Sequence, residues 1–390
     1  MQVYSNKALS QEIIDWPVTM QRALMLAARV MSAAPNPRVG CVIVCAEGIV
    51  GEGWHSAAGQ PHAEIEALRM AGNAARNATV FVTLEPCAHH GRTGPCADAL
   101  IAAGVARVVI AGIDPNPAVA GKGIARLEAV GIEVAHLVDF EAAAQSLNRG
   151  YFKRRQFGRP WVTCKLAMSI DGRTALANGP SKWITGGEAR ADVQRLRARS
   201  CAIVTGIATV LFDDPSLTVR PAELQLSAEA QQVNALALRR QPLRVILDSK
   251  GRVPANARIL GDGTGVKVYI GRESQAPSGL PAAVQVLPVA ANRQGVDLLS
   301  VLESLASDFE CNEILVEAGS TLSSAFISAG LVDELIVYIA PKLLGSDARA
   351  LFEASGLTAL TTAPQFELAD VERFGNDVRL TLHPQYGKSD

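Results

Sequence analysis

HAEIEALRMAGNAARNATVFVTLEPCAHHGRTGPCADALIAAGVARVVIAGID, residues 62–114, decides the architecture of the first part of this 390-residue chain. HAEIEALRMAG opens a helix. ATVFVTLEP (78–86) is β-branched and ends on a proline, so it predicts a strand. GPCADALIAAG (94–104) predicts a helix closed by Gly104, and ARVVIAGID (106–114) the next strand. Helix and strand therefore alternate, which is the pattern of an α/β layer sandwich.

The alternation extends both ways. Upstream, residues 18–33 carry apolar residues at helical spacing and stop at Pro35-Asn36-Pro37. VGCVIV (39–44) predicts a strand and IVGEGWH (49–55) its hairpin partner or continuation. Downstream, GKGIARLEAVG (121–131) predicts a helix and IEVAHLV (132–138) a strand. NRGYFKRRQFGRP (148–160) then breaks the pattern, and a boundary between domains 1–150 and 151–390 is expected near it. Its run Lys153, Arg154, Arg155 reads as a solvated face or a phosphate contact. A second alternation follows: WVTCKLAMSI (161–170), CAIVTGI (201–207), LRVILDS (243–249), VKVYIG (266–271) and EILVEAG (313–319) predict strands. GEARADVQRLRARS (187–200), VDLLSVLESLASDF (296–309) and TLSSAFISAG (321–330) predict helices. DELIVYIAPKLLG (333–345) predicts a long strand, and residues 365–375 and 377–384 an antiparallel pair. The polar, Ala/Gln-rich residues 221–242 read as a surface excursion.

Composition narrows the function. Hydrophobic residues are 48% and charged residues 19%, a globular balance. Lys+Arg of 37 against Asp+Glu of 38 argues against an electrostatic grip on nucleic acid or on an anionic membrane. No apolar run reaches the ~18 residues of a membrane span. The N-terminus lacks a secretion pattern, so a soluble, cytoplasmic protein is expected. Seven cysteines, an odd number, make a disulfide framework unexpected. Cys41, Cys45, Cys164 and Cys201 lie in apolar runs and read as small buried hydrophobes.

Cys87 and Cys96 read differently. Together with His62 they make three ligands that suit tetrahedral zinc with one position left for water. Cys96 sits at a predicted helix start, where thiolate is favoured. Glu64 is two residues from His62, so on a regular helix the two side chains would diverge by about 200°. They converge only if His62 stands at the lip of the helix. A glutamate beside zinc-bound water is a natural proton shuttle. H-A-E and P-C match the zinc-deaminase signature, although eight residues separate Cys87 from Cys96 where the generic motif has two. A structural zinc site would want a fourth ligand, and His89 and His90 lie in the same loop.

The loop LEPCAHHGRTGPC (84–96) closely resembles the zinc loop of the bifunctional riboflavin-biosynthesis deaminase/reductase family, in which the longer spacing is characteristic. PNPRVGCVIV (35–44) and AGIDPNP (111–117) resemble two further segments of that deaminase. KLAMSIDGRTA (165–175), GIATVLFDDPSLTVR (206–220), RVILDSKGRVP (244–254) and EAGSTLSSAFI (317–327) resemble its reductase. The resemblance runs over residues 17–385 in the family's order; Gly94, His90 and the 221–242 segment are departures. It implies a cytidine-deaminase-like α/β/α sandwich followed by a dihydrofolate-reductase-like α/β domain. It implies two consecutive steps as well. The first is hydrolytic deamination of 2,5-diamino-6-(5-phosphoribosylamino)pyrimidin-4(3H)-one; the second is NADPH reduction of the ribosyl chain, giving 5-amino-6-(5-phosphoribitylamino)uracil.

The roles follow from the same resemblance. His62, Cys87 and Cys96 would hold one Zn2+, Glu64 would move protons, and Asn36 would bind the pyrimidine edge, with His89 and Asn116 weaker substrate candidates. Ala167, Trp183, Thr209, Asp213, Ser249 and the turn Gly319, Ser320, Thr321, Leu322, Ser323, Ser324, Ala325 would face NADPH. Ser181, Arg197, Leu217, Arg220 and Glu317 would face substrate. Arg197 and Arg220 suit a phosphate clamp, since guanidinium binds phosphate through two N–H groups. Arg197 could equally be a helix surface charge and Arg220 a loop ion pair. There is no G-x-G-x-x-G: GKGIAR (121–126) reads as a loop before a helix, and the Gly-Ser-Thr turn offers backbone N–H groups to a phosphate. Lys165, on an apolar strand, is either an edge residue or aimed at a ligand, and is the best catalytic candidate of this half. Asp171 reads as turn-forming with Gly172.

Three other readings compete. A nucleic-acid deaminase with an inert second domain is disfavoured by the charge balance and by only 5% aromatic residues. A structural zinc scaffold is disfavoured by the intact Glu64. A pteridine reductase half fits less well than two motifs whose chemistry is consecutive. The expected partner is a small phosphoribosyl pyrimidine, with neither nucleic acid nor membrane. A homo-oligomer, dimer or tetramer, is expected, with an exposed apolar strand at 334–344 as the pairing edge.

Overall fold

Asp15 accepts a hydrogen bond from the Val18 amide at 3.0 Å and starts helix α1 (Trp16–Ala28). Pro17 stands in its first turn, where a missing N–H leaves no bond unmade. A computed structural model describes all residues except 1, 5–14, 90–93, 118, 178–183, 262, 293–294, 354–357 and 387–390. Ser181 and Trp183 lie outside the described residues. The chain divides into two compact units, residues 1–158 with 226–240, and 159–225 with 241–390.

The first unit is built on strands β1 (Gln2–Tyr4), β2 (Gly40–Cys45), β3 (Gly48–Trp54), β4 (Thr79–Val82), β5 (Arg107–Ile110) and β6 (Glu133–Leu137), in the order β1-β6-β5-β4-β2-β3. Strands β1, β6, β5 and β4 are parallel, and β2 runs antiparallel to both β4 and β3. IVGEGWH is thus a hairpin partner. Helices α2 (Ala63–Ala71), α3 (Cys96–Ala103) and α4 (Lys122–Glu128) cover one face. Their Ala67, Leu100 and Leu127 pack on Ile43, Val80 and Val108. On the other face α1 and α5 (Glu141–Leu147) bring Trp16, Met20 and Ala144 against Val42, Phe81 and Val109. Alternate residues of β2, β4, β5 and β6 feed opposite cores, which explains the continuous apolar sequence of these strands.

Residues 148–160 are not an open linker. Arg149–Phe157 form helix α6, whose Tyr151 and Phe152 pack on Leu84. The basic run is not a solvated face throughout: Arg154 is buried and its Nη2 donates to the Pro35 carbonyl at 3.3 Å.

The second unit carries β7 (Trp161–Ser169), β9 (Ala202–Gly206), β10 (Leu243–Leu247), β11 (Val266–Gly271), β12 (Gln285–Val289), β15 (Glu313–Val316), β16 (Glu334–Ala340), β18 (Phe366–Phe374) and β19 (Asp377–Pro384). Their order is β12-β11-β10-β9-β15-β7-β16-β19-β18. The first seven are parallel and the last two add an antiparallel edge. Two short pairs complete it: β8 (Arg173–Ala175) with β17 (Arg349–Ala350), and β13 (Ala291–Asn292) with β14 (Gly295–Val296). Helices α7 (Gly187–Arg199), α8 (Ile207–Asp213), α11 (Leu298–Ser307) and α12 (Ser320–Ser328) connect the strands.

Two further expectations change here. The strand at 334–344 is not an exposed edge: β16 lies between β7 and β19 and is buried along nearly its whole length. Within the 221–242 excursion, α9 (Ala228–Val233) and α10 (Ala235–Arg239) belong to the first unit, although the sequence on either side belongs to the second. None of the seven cysteines forms a disulfide; Cys41, Cys164 and Cys201 are buried, while Cys45 is only partly so. No helix among the described residues is long and apolar enough to cross a membrane.

Candidate functional site

Helix α2 can lie against β3 because the facing strand positions are glycine. A Cβ on Gly53 would fall 2.3 Å from the Ala63 carbonyl oxygen, and one on Gly51 2.3 Å from that of Ala67. This close approach brings the start of α2 over the ends of the strands. His62 is the N-cap, with extended backbone (φ −73°, ψ 163°), so it stands at the lip of the helix. Its ring nitrogen lies 3.2 Å from the Cys96 sulfur and 3.6 Å from that of Cys87.

The ligand atoms of His62, Cys87 and Cys96 lie within 4.8 Å of one another. Zinc bonds of about 2.0–2.3 Å at tetrahedral angles need donor separations of about 3.3–3.8 Å, so the set fits zinc. Cys96 is the first residue of α3, and its amide donates to the Cys87 sulfur at 3.4 Å. The Cys96 S–H, with His62, holds the Cys87 thiol well below its usual range, and Cys96 is pushed far up in return. A bound cation would deprotonate both. Glu64 is buried one residue into α2, 3% exposed, and that burial pushes its carboxyl up. A carboxyl that takes up a proton readily is what proton transfer in a closed site needs.

The strand-to-loop junction before Cys87 is fixed by Glu85. Its buried carboxylate accepts from the amides of Gly121, Gly123 and Ile124 at 2.9–3.4 Å, at the start of α4. A Cβ on Gly123 would fall 1.8 Å from the Pro86 carbonyl oxygen. GKGIAR is therefore not a loop before a helix: Gly121 is the N-cap of α4 and Lys122–Arg126 are its first turns, and this helix start is shaped to hold the zinc loop.

Asn36 joins this cluster through His55. Its Nδ2 lies 3.0 Å from His55 Nε2, and His55 Nδ1 lies 2.9 Å from the Pro61 carbonyl. The His55 and His62 rings meet edge-on, centroids 5.1 Å apart. Burial, with His62 nearby, lowers the His55 pKa, so a neutral ring donates to Pro61 and accepts from Asn36. His89 is exposed. The Asn116 amide donates to Asp114 Oδ1 at 2.8 Å, and Tyr151 holds the same carboxylate at 3.0 Å.

In the second unit Lys165 sits on β7, an interior strand between β15 and β16, which removes the edge reading. Burial lowers its pKa, and Glu317 opposes that shift. Arg197 grips Glu317 through two bonds, Nε to Oε1 at 2.6 Å and Nη2 to Oε2 at 3.0 Å. Burial pushes Glu317 up, but Arg197 outweighs it and holds the carboxyl below its usual range. The expected pair of phosphate-clamping arginines is thus not what stands here. Arg197 is engaged by Glu317, and Arg220 is a loop ion pair with Glu223 at 2.5 Å. Leu217 is buried with φ +46°, a left-handed conformation unusual for a branched residue and frequent at functional sites.

The nucleotide candidates are spread over several elements. Ala167 lies on β7, Thr209 and Asp213 on α8, and Ser249 just beyond β10. Gly319 is the N-cap of α12, and Ser320, Thr321, Leu322, Ser323, Ser324 and Ala325 form its first turns. Ser320 and Thr321 hydroxyls donate to the Glu353 carboxylate at 2.7 and 3.0 Å. The Ser323 side chain is buried in the same turn. A helix start lined by hydroxyls that already hold a carboxylate fits a phosphate. Asp171 accepts from the Leu344 and Gly345 amides at 3.1 and 2.8 Å, a turn role, with Gly172 at φ +73°.

Residues 17–112 match the family of the cytidine and deoxycytidylate deaminase zinc-binding region, and residues 160–380 match the RibD C-terminal domain. The chain is 51% identical over 366 residues to the riboflavin biosynthesis protein RibD of Escherichia coli, covering 93% of this chain and 98% of that protein. The chain belongs to the RibD family. Among solved structures, Acinetobacter baumannii RibD superposes with a TM-score of 0.84 at 45% identity, covering 95% of this chain and 99% of that one. The diaminohydroxyphosphoribosylaminopyrimidine deaminase/5-amino-6-(5-phosphoribosylamino)uracil reductase of Thermotoga maritima gives 0.81 at 32% identity, with the same coverage.

RibD proteins are bifunctional enzymes of riboflavin biosynthesis, so this chain has a zinc-binding deaminase domain and an NADPH-dependent reductase domain. Sequence reading missed His55, Glu85 and Arg154, which hold the deaminase site in shape. His55 carried a faint signal, a histidine ending a strand beside the PNP turn. Glu85 and Arg154 carried none, because their partners lie 38 and 119 residues away.

Proposed function

We propose that the first unit deaminates 2,5-diamino-6-(5-phosphoribosylamino)pyrimidin-4(3H)-one and the second reduces its product with NADPH to 5-amino-6-(5-phosphoribitylamino)uracil. The observation that carries the first step is the meeting of His62, Cys87 and Cys96 beside buried Glu64. Zinc bound there supplies Lewis acidity, which brings the pKa of water down to about 7. Glu64 would take a proton from the attacking water and pass it to a ring nitrogen, then take the proton of the newly added hydroxyl and give it to the amino group, so that the C–N bond breaks, the carbonyl forms and ammonia leaves. Asn36, with Nδ2 committed to His55, offers Oδ1 to an N–H of the pyrimidine.

In the second unit NADPH, when bound, supplies a hydride. The first turn of α12 would hold its phosphate, with Ala167, Thr209, Asp213 and Ser249 along the nucleotide. Lys165 would donate a hydrogen bond to the sugar oxygen as the ring opens. Glu317, kept ionised by Arg197, would bind a substrate N–H or O–H, and Arg220 the phosphate after parting from Glu223. The two steps are assigned to the two units, whose bounds depart from the expected domains 1–150 and 151–390 at residues 151–158 and 226–240. A homo-oligomer belongs to the same reading.

Mass spectrometry of the product tests both halves. Zinc-loaded protein should deaminate without NADPH and deaminate and reduce with it. Deamination alone under both conditions would remove the reductase reading, and no mass change with zinc bound would remove the substrate. Glu353 supplies a narrower prediction. Its carboxylate occupies the hydroxyls that would meet a phosphate, so Glu353→Ala should tighten NADPH about three- to tenfold in a fluorescence titration. Unchanged affinity would put the phosphate elsewhere.

A further inference from the structure

The chain leaves the second unit at Gln225, contributes residues 226–240 to the first, and returns at Gln241. This detour is pinned where it begins and ends. Arg195 Nη1 donates to the Leu224 carbonyl at 3.0 Å, and the Gln241 side chain makes two bonds to the Val219 backbone at 2.8 and 3.0 Å. Between those pins two short helices meet the segment that runs from α1 into Pro35-Asn36-Pro37.

Asn234 joins α9 to α10 and is 2% exposed. Its Oδ1 accepts from the Met31 amide at 2.7 Å, and its Nδ2 donates to the Arg29 carbonyl at 3.0 Å. These are backbone groups just past the end of α1, which the helix itself cannot satisfy. Arg240 Nη1 donates to the Ala34 carbonyl at 2.8 Å, two residues before Asn36. Glu229 pairs with Arg29 at 2.5 Å, and that guanidinium lies over Trp54 at 4.4 Å, next to His55. From the opposite side Arg154 holds the Pro35 carbonyl and Asn148 holds both backbone groups of Arg38. Bonds to side chains thus fall on residues 29, 31, 34, 35, 36 and 38 in succession, and three of them come from the detour.

We propose that residues 226–240 are a brace for the substrate loop of the deaminase, with Asn234 and Arg240 as positioning residues that set where Asn36 stands. Without the detour the loop would be held from one side only, by Arg154 and Asn148, and the Asn36 amide would wander; loss of about 1 Å in placement weakens a binding or reacting geometry markedly. The zinc ligands are not on this loop, so its slackening leaves the metal and Glu64 in place. The inference rests on the reading of Asn36 as a substrate contact.

The test is a set of steady-state measurements on the full chain, zinc-loaded, with each activity assayed on its own substrate. Asn234→Ala and Arg240→Ala are expected to raise the deaminase KM about five- to tenfold and about two- to threefold. The zinc content, the reductase constants and the melting temperature of Arg240→Ala should stay unchanged. Asn36→Ala should raise the deaminase KM by itself, and Asn234→Ala should then add little in the Asn36→Ala background, because the brace acts through that side chain. A deaminase KM untouched by Asn36→Ala would overturn the substrate reading and the brace with it. An effect of Asn36→Ala with none from Asn234→Ala or Arg240→Ala would overturn the brace alone. Equal effects of Asn234→Ala with and without Asn36, or parallel losses of zinc and reductase activity, would make Asn234 a folding residue only. Arg240 is a surface side chain whose removal leaves the fold intact, so it keeps the test decisive if Asn234→Ala is poorly folded.

Discussion

Glu64→Gln should lower the deamination rate by about 10²–10⁴-fold while zinc stays bound, since removing a general acid–base costs that much. The carboxyl is buried at the start of α2, beside but not among the three atoms that converge on the metal. Gln has the same shape, keeps a hydrogen-bonding head, and cannot carry a proton from water to ring nitrogen and on to ammonia. Burial raises the Glu64 carboxyl pKa, so part of its proton affinity is set by the pocket rather than by a partner. Metal content and product formation, measured on the same preparation, separate the two roles. Retained turnover would show that another group moves the proton. Lost zinc would show that Glu64 holds the site together. Reduction of already deaminated substrate should be untouched, because every candidate for that step lies in the other unit.

Residues close in sequence, or constrained by one element, were legible. The distance between His62 and Glu64 along a helix left one geometry in which both could serve one site, with His62 at the lip, and His62 is the N-cap. The two α/β alternations were legible because buried parallel strands read as continuous apolar runs. The same property misleads at 334–344. A long apolar strand suggests a sticky edge, yet six apolar residues in the seven positions of β16 are the mark of a strand covered on both faces, and β16 is interior. What stayed hidden was pairing over distance. A run of three basic residues does not say that its middle member is buried against a carbonyl 119 residues away. Nor does an arginine-rich helix say that Arg197 meets a carboxylate 120 residues on. The polar composition of 221–242 correctly implied exposure but gave no sign that Asn234 reaches back 203 residues to the first unit. Side chains that bond to backbone carry no complementary residue type in the sequence, so such contacts leave no trace there.

Lys165→Met should slow reduction by about 10²–10⁴-fold and leave deamination unchanged. The side chain stands on an interior strand, where an unneeded ammonium would be costly, and its neighbours are the Arg197–Glu317 pair. Met keeps the length and the apolar stem, and Glu317 retains its two bonds to Arg197, so the fold should tolerate the change. The pH profile carries the sharper test. Burial lowers the lysine pKa from 10.5, with Glu317 pulling against it, so the charged form is lost at a lower pH than for an exposed lysine. If the ammonium donates to the sugar oxygen, the reductase rate is full below that pKa and falls as pH rises through it. Lys165→Met should abolish this alkaline limb, leaving a low, flat rate. A limb that survives the substitution would belong to another group. A flat profile in the unaltered protein, with a large loss in the variant, would make Lys165 a binding residue whose ionisation is not used, and the loss should then appear in KM rather than in kcat.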